Sequence, residues 1–157
     1  MVKNIKKIGL LFLILTHVFF ANSQDDYTDA IGLRGGFYNG ITYKTFLNDE
    51  MAFEGMLTTR YEGVHFTALI EFYNPLFYVR TLYWYYGVGS HIGFYDQTLA
   101  NIDEDFMLGI DGVLGVEYTF ESYPINISLD WKPMFNLFGV RPIYDSGALS
   151  VRYCFSR

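Results

Sequence analysis

Phe106-Met107-Leu108-Gly109-Ile110-Asp111-Gly112-Val113-Leu114-Gly115-Val116-Glu117-Tyr118-Thr119-Phe120 sorts into two rows when every second residue is taken. One row is Phe106, Leu108, Ile110, Gly112, Leu114, Val116, Tyr118 and Phe120; the other is Met107, Gly109, Asp111, Val113, Gly115, Glu117 and Thr119. Successive side chains of a β-strand point to opposite faces, so a period of two sustained over this length predicts a long strand with one apolar and one mixed polar face.

The pattern recurs on both sides of this stretch. Ile125 to Phe135 alternates Ile125, Ile127, Leu129, Trp131, Pro133 and Phe135 against Asn126, Ser128, Asp130, Lys132 and Met134. Val64 to Tyr73 opposes Val64, Phe66, Ala68, Ile70 and Phe72 to His65, Thr67, Leu69, Glu71 and Tyr73, and Leu82 to Phe94 behaves the same way. Leu149, Val151, Tyr153 and Phe155 form the last apolar row. Turn residues fall between the runs at Asn48-Asp49-Glu50, Glu62-Gly63, Asn74-Pro75, Glu121 to Pro124 and Asp145 to Gly147.

Asn39-Gly40 is the strongest short hairpin signal in the chain. Read as a turn, it gives eight strands, roughly 30 to 37, 40 to 47, 51 to 61, 64 to 74, 80 to 95, 106 to 120, 124 to 137 and 146 to 155; read through, it gives seven. An even number of antiparallel strands, with short turns at one end and longer loops at the other, is the pattern of a transmembrane barrel. The expected fold is therefore all-β, an eight-stranded antiparallel up-and-down transmembrane β-barrel. Its longest connections would be about 96 to 105 and 138 to 145, both on the outer side.

Volume decides which row faces inward. The interior of an eight-stranded barrel is only just wide enough for side chains to fill. A row holding Trp84, Phe94, Phe106, Tyr118, Phe120, Trp131, Phe135, Tyr153 and Phe155 would overfill it. The opposite row carries Gly87, Gly89, Gly93, Gly109 and Gly115 among charged groups, which suits a narrow bore. The polar row goes in and the aromatics face lipid, several near strand ends where the membrane interface favours amphipathic rings. A closed barrel also leaves no unpaired backbone group in hydrocarbon.

This parity assigns five cations inward, Arg34, Lys44, Arg60, Lys132 and Arg152, and five anions, Glu54, Glu71, Asp111, Glu117 and Asp130. Buried charges must pair, and equal numbers predict a structural salt-bridge plug in a non-conducting interior.

Composition bounds the rest. The 157 residues, 51% apolar and 20% aromatic, exclude a disordered chain, and a single Cys excludes an internal disulfide framework. No apolar run is long enough for a spanning helix. Residues 1–23 read as a secretory signal peptide: Lys3, Lys6 and Lys7, then an apolar stretch from Ile8 to Phe20, then Ala21-Asn22-Ser23 as a cleavage site after Ser23. Residues 24–157 would form the barrel domain. The signal segment holds three of the 11 Lys and Arg and none of the 17 Asp and Glu, which leaves 8 against 17, a net charge of -9. A nucleic-acid partner, which needs a basic surface, is excluded.

These segments resemble the small eight-stranded outer-membrane β-barrel proteins of Gram-negative bacteria, the OmpA-barrel and OmpX-like group, and within it a set of short barrels. The resemblance runs over nearly all of residues 30 to 155. It is carried by Gly32-Leu33-Arg34-Gly35-Gly36, Asn39-Gly40-Ile41-Thr42-Tyr43-Lys44, Gly115-Val116-Glu117-Tyr118-Thr119-Phe120 and Leu129-Asp130-Trp131-Lys132-Pro133. It implies insertion into the outer membrane as a monomer among outer-membrane lipid, a structural or adhesion-like role, and no established chemistry. Ala148 to Phe155 is similar to the C-terminal aromatic signal read by the barrel-assembly machinery, although Ser156 and Arg157 follow the aromatic that usually ends it.

Enzymatic and ligand-binding readings compete with this one. Lipid A deacylases, similar in being barrels, use a His and Ser pair facing the membrane. Here His65 and His91 take inward parity, and adjacent Ser90 and His91 face opposite sides of a strand. His65, Glu71 and His91 have no defined metal-ligand spacing. Asp96, Asp103, Glu104 and Asp105 fall in the longest outer loop, where divalent cations could bind or water alone could solvate them. Cys154 reads as a small buried side chain. No catalytic residue, metal or cofactor is expected. A soluble lipocalin-like carrier is the third reading.

Overall fold

A computed structural model describes residues 27–60, 63–77, 79–95, 106–138 and 143–155, the side chains of 95 and 143–145 excepted. The signal segment 1–23 with its cleavage site, and the acidic residues of 96–105, lie outside the described residues. Eight strands follow one another: β1 Asp29–Gly36, β2 Asn39–Asn48, β3 Met51–Arg60, β4 Gly63–Pro75, β5 Leu82–Tyr95, β6 Phe106–Thr119, β7 Ile125–Phe138 and β8 Ile143–Phe155. Each pairs antiparallel with the next, and β1 pairs with β8 from Asp29↔Phe155 to Gly36↔Ala148, closing the barrel. One end holds the start of β1, the end of β8 and the connections 49–50, 76–81 and 120–124; the other holds the remaining connections. These are called the termini end and the loop end.

The first two strands are among the shortest, at 8 and 10 residues against 13 or 14 for β4 to β8. Asn39-Gly40 is not the turn between them. Both residues lie in β2, where Gly40 pairs with Arg34 and with Thr58, and the chain reverses at Phe37-Tyr38 instead. Asn39 still closes the reversal, its Oδ1 accepting the Gly36 N–H at 3.0 Å. Asp145 to Gly147, read as a turn, belongs to β8, because the full length of β7 draws it into register as Pro133↔Asp145 and Trp131↔Gly147. The connection expected at 138 to 145 therefore contracts to 139–142, and 76–81 at the termini end is longer.

The two rows separate as the volume argument requires. Along β6 and β7 burial alternates residue by residue, with Asp111, Glu117, Asn126, Ser128, Asp130 and Lys132 enclosed. The outer wall is apolar: Leu33 is 69% exposed, Val88 62% and Leu129 58%, and Trp131, Phe66 and Phe135 share that surface. Polar groups do not fill the bore alone. Ala52, Met56, Leu69, Tyr73, Tyr85 and Val113 form a buried cluster within it.

Pro133 sits in the interior of β7, a position proline normally avoids because it has no N–H for the ladder. The β6–β7 register passes from Asp111↔Met134 to Leu114↔Trp131 without pairing the residues between, so the missing donor coincides with a break in the ladder. Gly112 leaves room there: a Cβ on it would come within 3.3 Å of the proline ring.

Candidate functional site in the barrel interior

The inward rows of seven strands deliver their charges to one column along the barrel axis. Near the termini end, Lys44 of β2 meets carboxylates from three other strands: its Nζ lies 2.9 Å from Glu71 on β4, 2.9 Å from Glu117 on β6 and 3.6 Å from Glu54 on β3. Arg152 of β8 closes the cluster, pairing with Glu54 and lying 3.8 Å from Glu117, while donating to Ser128 and Asn126. Thr42 donates to Glu54 as well.

Three phenols complete this layer. The Tyr73 hydroxyl touches Lys44 Nζ at 2.5 Å and both Glu71 and Glu117 at 3.0 Å. Tyr27, just before β1, donates to Glu117 at 2.6 Å. The Lys44 ammonium also lies over the Tyr73 and Tyr85 rings, 5.2 and 4.7 Å from their centroids, which compensates part of its lost hydration. The layer holds three carboxylates against two cations, and Glu54 Oε2 and Glu71 Oε1 have no hydrogen-bond partner among the described residues.

Above it, Arg34 of β1 reaches past β8 to Asp130 of β7 through two parallel N–H···O contacts of 2.7 and 2.5 Å, the fork geometry in which a guanidinium holds a carboxylate most strongly. The Tyr85 hydroxyl reaches the same carboxylate at 3.3 Å. Higher again, Asp111 takes Lys132 at 3.3 Å and His91 Nδ1 at 2.6 Å, and His91 Nε2 meets Asn136 at 2.9 Å. Large side chains fit because glycines lie beneath them. A Cβ on Gly115 would stand 2.5 Å from the Tyr85 ring, and one on Gly109 2.5 Å from the His91 ring.

Nine of the ten residues expected in the interior network take part in these contacts: Arg34, Lys44, Glu54, Glu71, Asp111, Glu117, Asp130, Lys132 and Arg152. The tenth is Arg60. It ends β3 at the loop end, half-buried, with its guanidinium over the Phe37 and Tyr38 rings at 5.6 and 5.0 Å. It shares the parity of the buried row of β3, and the aromatic hairpin between β1 and β2 seats it beside the buried Tyr38. Within these contacts His91 is set against Asp111 as well.

Sequence reasoning gave no role to Tyr73, Tyr85 or Tyr27. The first two have inward parity, so their phenols on a face shared with Glu and Lys were the available signal. Tyr27 precedes the first strand, where no periodicity exists to place it. His65 and His91 are both buried, whereas Ser90 faces outward. Glu71 is held by Lys44 in a different layer from His91, and no metal-ligating group of three His, Cys, Asp or Glu occurs among the described residues. Cys154 is buried.

A cavity of about 430 Å³ opens at the termini end, between Tyr27, Phe46, Tyr73, Thr81 and Tyr83, with Glu117 at its inner limit.

No protein-family model and no curated protein matches the chain. Among solved structures it is similar to the N-terminal β-barrel domain of OprF from Pseudomonas aeruginosa, with a TM-score of 0.66 and 16% identity over 83% of this chain and 100% of that domain. At that identity the likeness is one of fold: the eight-stranded closed barrel implied by the OmpA-group resemblance is the barrel observed.

Proposed function

We propose that this chain is a monomeric integral protein of the bacterial outer membrane with a structural or adhesion-like surface role, a non-conducting interior and no enzymatic activity. The observation that carries the reading is the pairing of two surfaces. A closed wall presents Leu33, Val88, Leu129 and Trp131 outward, while Lys44 of β2 and Glu117 of β6 join opposite walls across the bore. A contiguous apolar exterior of this extent is foreign to water-soluble monomers and is what the hydrocarbon core demands of a spanning barrel.

The side chains that fill the bore leave a solvated path little room, since the Lys44 cluster spans it and Arg34–Asp130 and Tyr85 occupy the layer above. A lipid A deacylase-like activity needs Ser and His together on the lipid face, and the outward Ser90 has its neighbour His91 buried on the other side of the wall. The soluble-carrier reading requires an apolar lumen, which the ion pairs contradict. The partners supported by this reading are outer-membrane lipid and the barrel-assembly machinery, the latter through the β8 segment Ala148 to Phe155.

The test has three readouts on the full chain expressed in a Gram-negative host. The protein sediments with outer membranes, it adds no conductance to a planar bilayer, and deleting its gene leaves the cell's lipid A mass spectrum unchanged. Recovery in the aqueous periplasmic fraction, discrete channel openings, or a shifted lipid A mass would each remove the corresponding part of the proposal.

A further inference from the structure

The cavity at the termini end is built differently from the rest of the bore. Side chains meet side chains across the middle of the barrel, but here a space of about 430 Å³ is left, within the range of roughly 300–1,000 Å³ typical of small-molecule sites. Its wall is aromatic. Tyr27 meets Phe46 edge-on at 5.2 Å, Phe46 meets Tyr73 at 4.9 Å, and Tyr73 meets Tyr83 at 6.3 Å, so four rings run around one opening.

The floor is anionic. Glu117 lines the cavity and belongs to the layer in which Glu54, Glu71 and Glu117 are paired with Lys44 and Arg152. Asp49 stands on the rim; Arg80 lies on the adjoining connection 76–81 but is not part of the lining. Aromatic faces attract cations through the ring quadrupole, and the attraction strengthens as water is excluded. The protein already uses this chemistry one layer deeper, where Lys44 sits over Tyr73 and Tyr85.

The rim also holds strain. Thr81, a β-branched residue, has φ of 63°, and Phe77 on the same connection has φ of 58°, both in the left-handed region that non-glycine residues avoid. Thr81 lines the cavity, and its buried Oγ1 has no hydrogen-bond partner among the described residues. Backbone held this way costs energy and persists where the surroundings impose it, commonly beside ligand sites.

We propose that this vestibule binds a small organic cation, a quaternary or alkyl ammonium compound, with the ammonium among the Tyr27, Phe46, Tyr73 and Tyr83 rings above Glu117 and a ligand hydroxyl partnered by Thr81. On the outer-membrane reading, with the longest loop outside, the termini end faces the periplasm, so the ligand arrives from that side and does not traverse the bore.

The test is calorimetric titration of the full barrel, refolded in detergent, with choline, with its neutral isostere 3,3-dimethylbutan-1-ol, with tetramethylammonium and with propionate. Choline binds saturably, the neutral isostere binds on the order of tenfold more weakly, and propionate does not bind. Tyr83→Leu weakens choline by a similar factor, while Tyr38→Leu at the loop end leaves it unchanged. Thr81→Val weakens choline but not tetramethylammonium, which has no hydroxyl. Each variant is first shown to keep its heat-dependent gel mobility; if Tyr83→Leu fails to fold, Phe46→Leu replaces it. Equal affinity for choline and its neutral isostere, absence of a saturable choline signal in the millimolar range, or unchanged binding in the vestibule variants would overturn the proposal. None of these results bears on membrane residence, which fractionation reads separately.

Discussion

Replacing Gly115 by Ala tests how tightly the interior is assembled. The added Cβ would meet Tyr85 Cζ at 2.5 Å, its hydroxyl oxygen at 2.7 Å and Cε1 at 2.8 Å, all shorter than a methyl group tolerates. Tyr85 cannot move aside freely. It is fully buried, stacks on Tyr73 at 5.1 Å with planes 16° apart, lies beneath Lys44 and donates to Asp130. Overpacking of a filled interior costs about 1–3 kcal/mol, and a ring restrained on three sides puts this case near the upper end. Gly55 is the control. It lies on the outer face of β3, where a Cβ meets nothing closer than Phe53 at 3.7 Å, so Gly55→Ala should be neutral or stabilise by about 0.5–1 kcal/mol. Urea unfolding of vesicle-inserted protein, followed by tryptophan fluorescence, gives both values. In a Tyr85→Ala background the clash has no partner, and a double-mutant cycle should return a coupling of about 2–3 kcal/mol, within the range for residues in contact. Stabilities for Gly115→Ala within about 0.5 kcal/mol of the parent, with no coupling to Tyr85, would refute the claim that the ring rests on that glycine.

Lys44→Met leaves Glu54, Glu71 and Glu117 facing Arg152 alone, and breaking a buried ion network in this way should cost about 3–5 kcal/mol in the same assay. Adding Glu71→Gln removes one of the three carboxylates and should restore part of that loss; a double variant no more stable than Lys44→Met would show that charge balance is not what the lysine supplies. Val88→Arg places a charge midway along the outer face of β5 and should destabilise the vesicle-inserted barrel by about 2–4 kcal/mol, whereas Glu121→Arg in the solvent-exposed connection 120–124 should change it little. Equal responses at the two positions would contradict a lipid-facing wall.

The wall of the barrel could be read from sequence because a period of two encodes which face each residue takes, and the narrowness of an eight-stranded bore decides which face is inside. That reasoning placed Asp111, Glu117, Asp130, Lys132 and Arg152 before any coordinates. What it could not see were effects set across strands. Asn39-Gly40 has the local chemistry of a turn, yet closure of β1 against β8 and the Phe37 N–H bond to Gly147 hold the reversal two residues earlier. Asp145 to Gly147 looks like loop and becomes strand because β7 offers it a ladder. Arg60 keeps the parity of its row, but its seat over the Phe37 and Tyr38 rings depends on a hairpin between two other strands and was not legible. Tyr73 was legible in direction only, since a phenol bridging one ammonium and two carboxylates depends on distances between β2, β4 and β6. The vestibule was legible only in part: Tyr73 and Glu117 have inward parity, but Tyr27 precedes the first strand and Thr81 lies in a connection, where no periodicity places a side chain.

Both tryptophans, Trp84 and Trp131, sit on outward rows, and Trp131 is 52% exposed on the wall. Their fluorescence in reconstituted vesicles therefore reports directly on what surrounds the barrel. The account predicts strong quenching by lipids brominated along the acyl chain and little quenching by aqueous acrylamide. Free access to acrylamide with no effect of brominated lipid would contradict it.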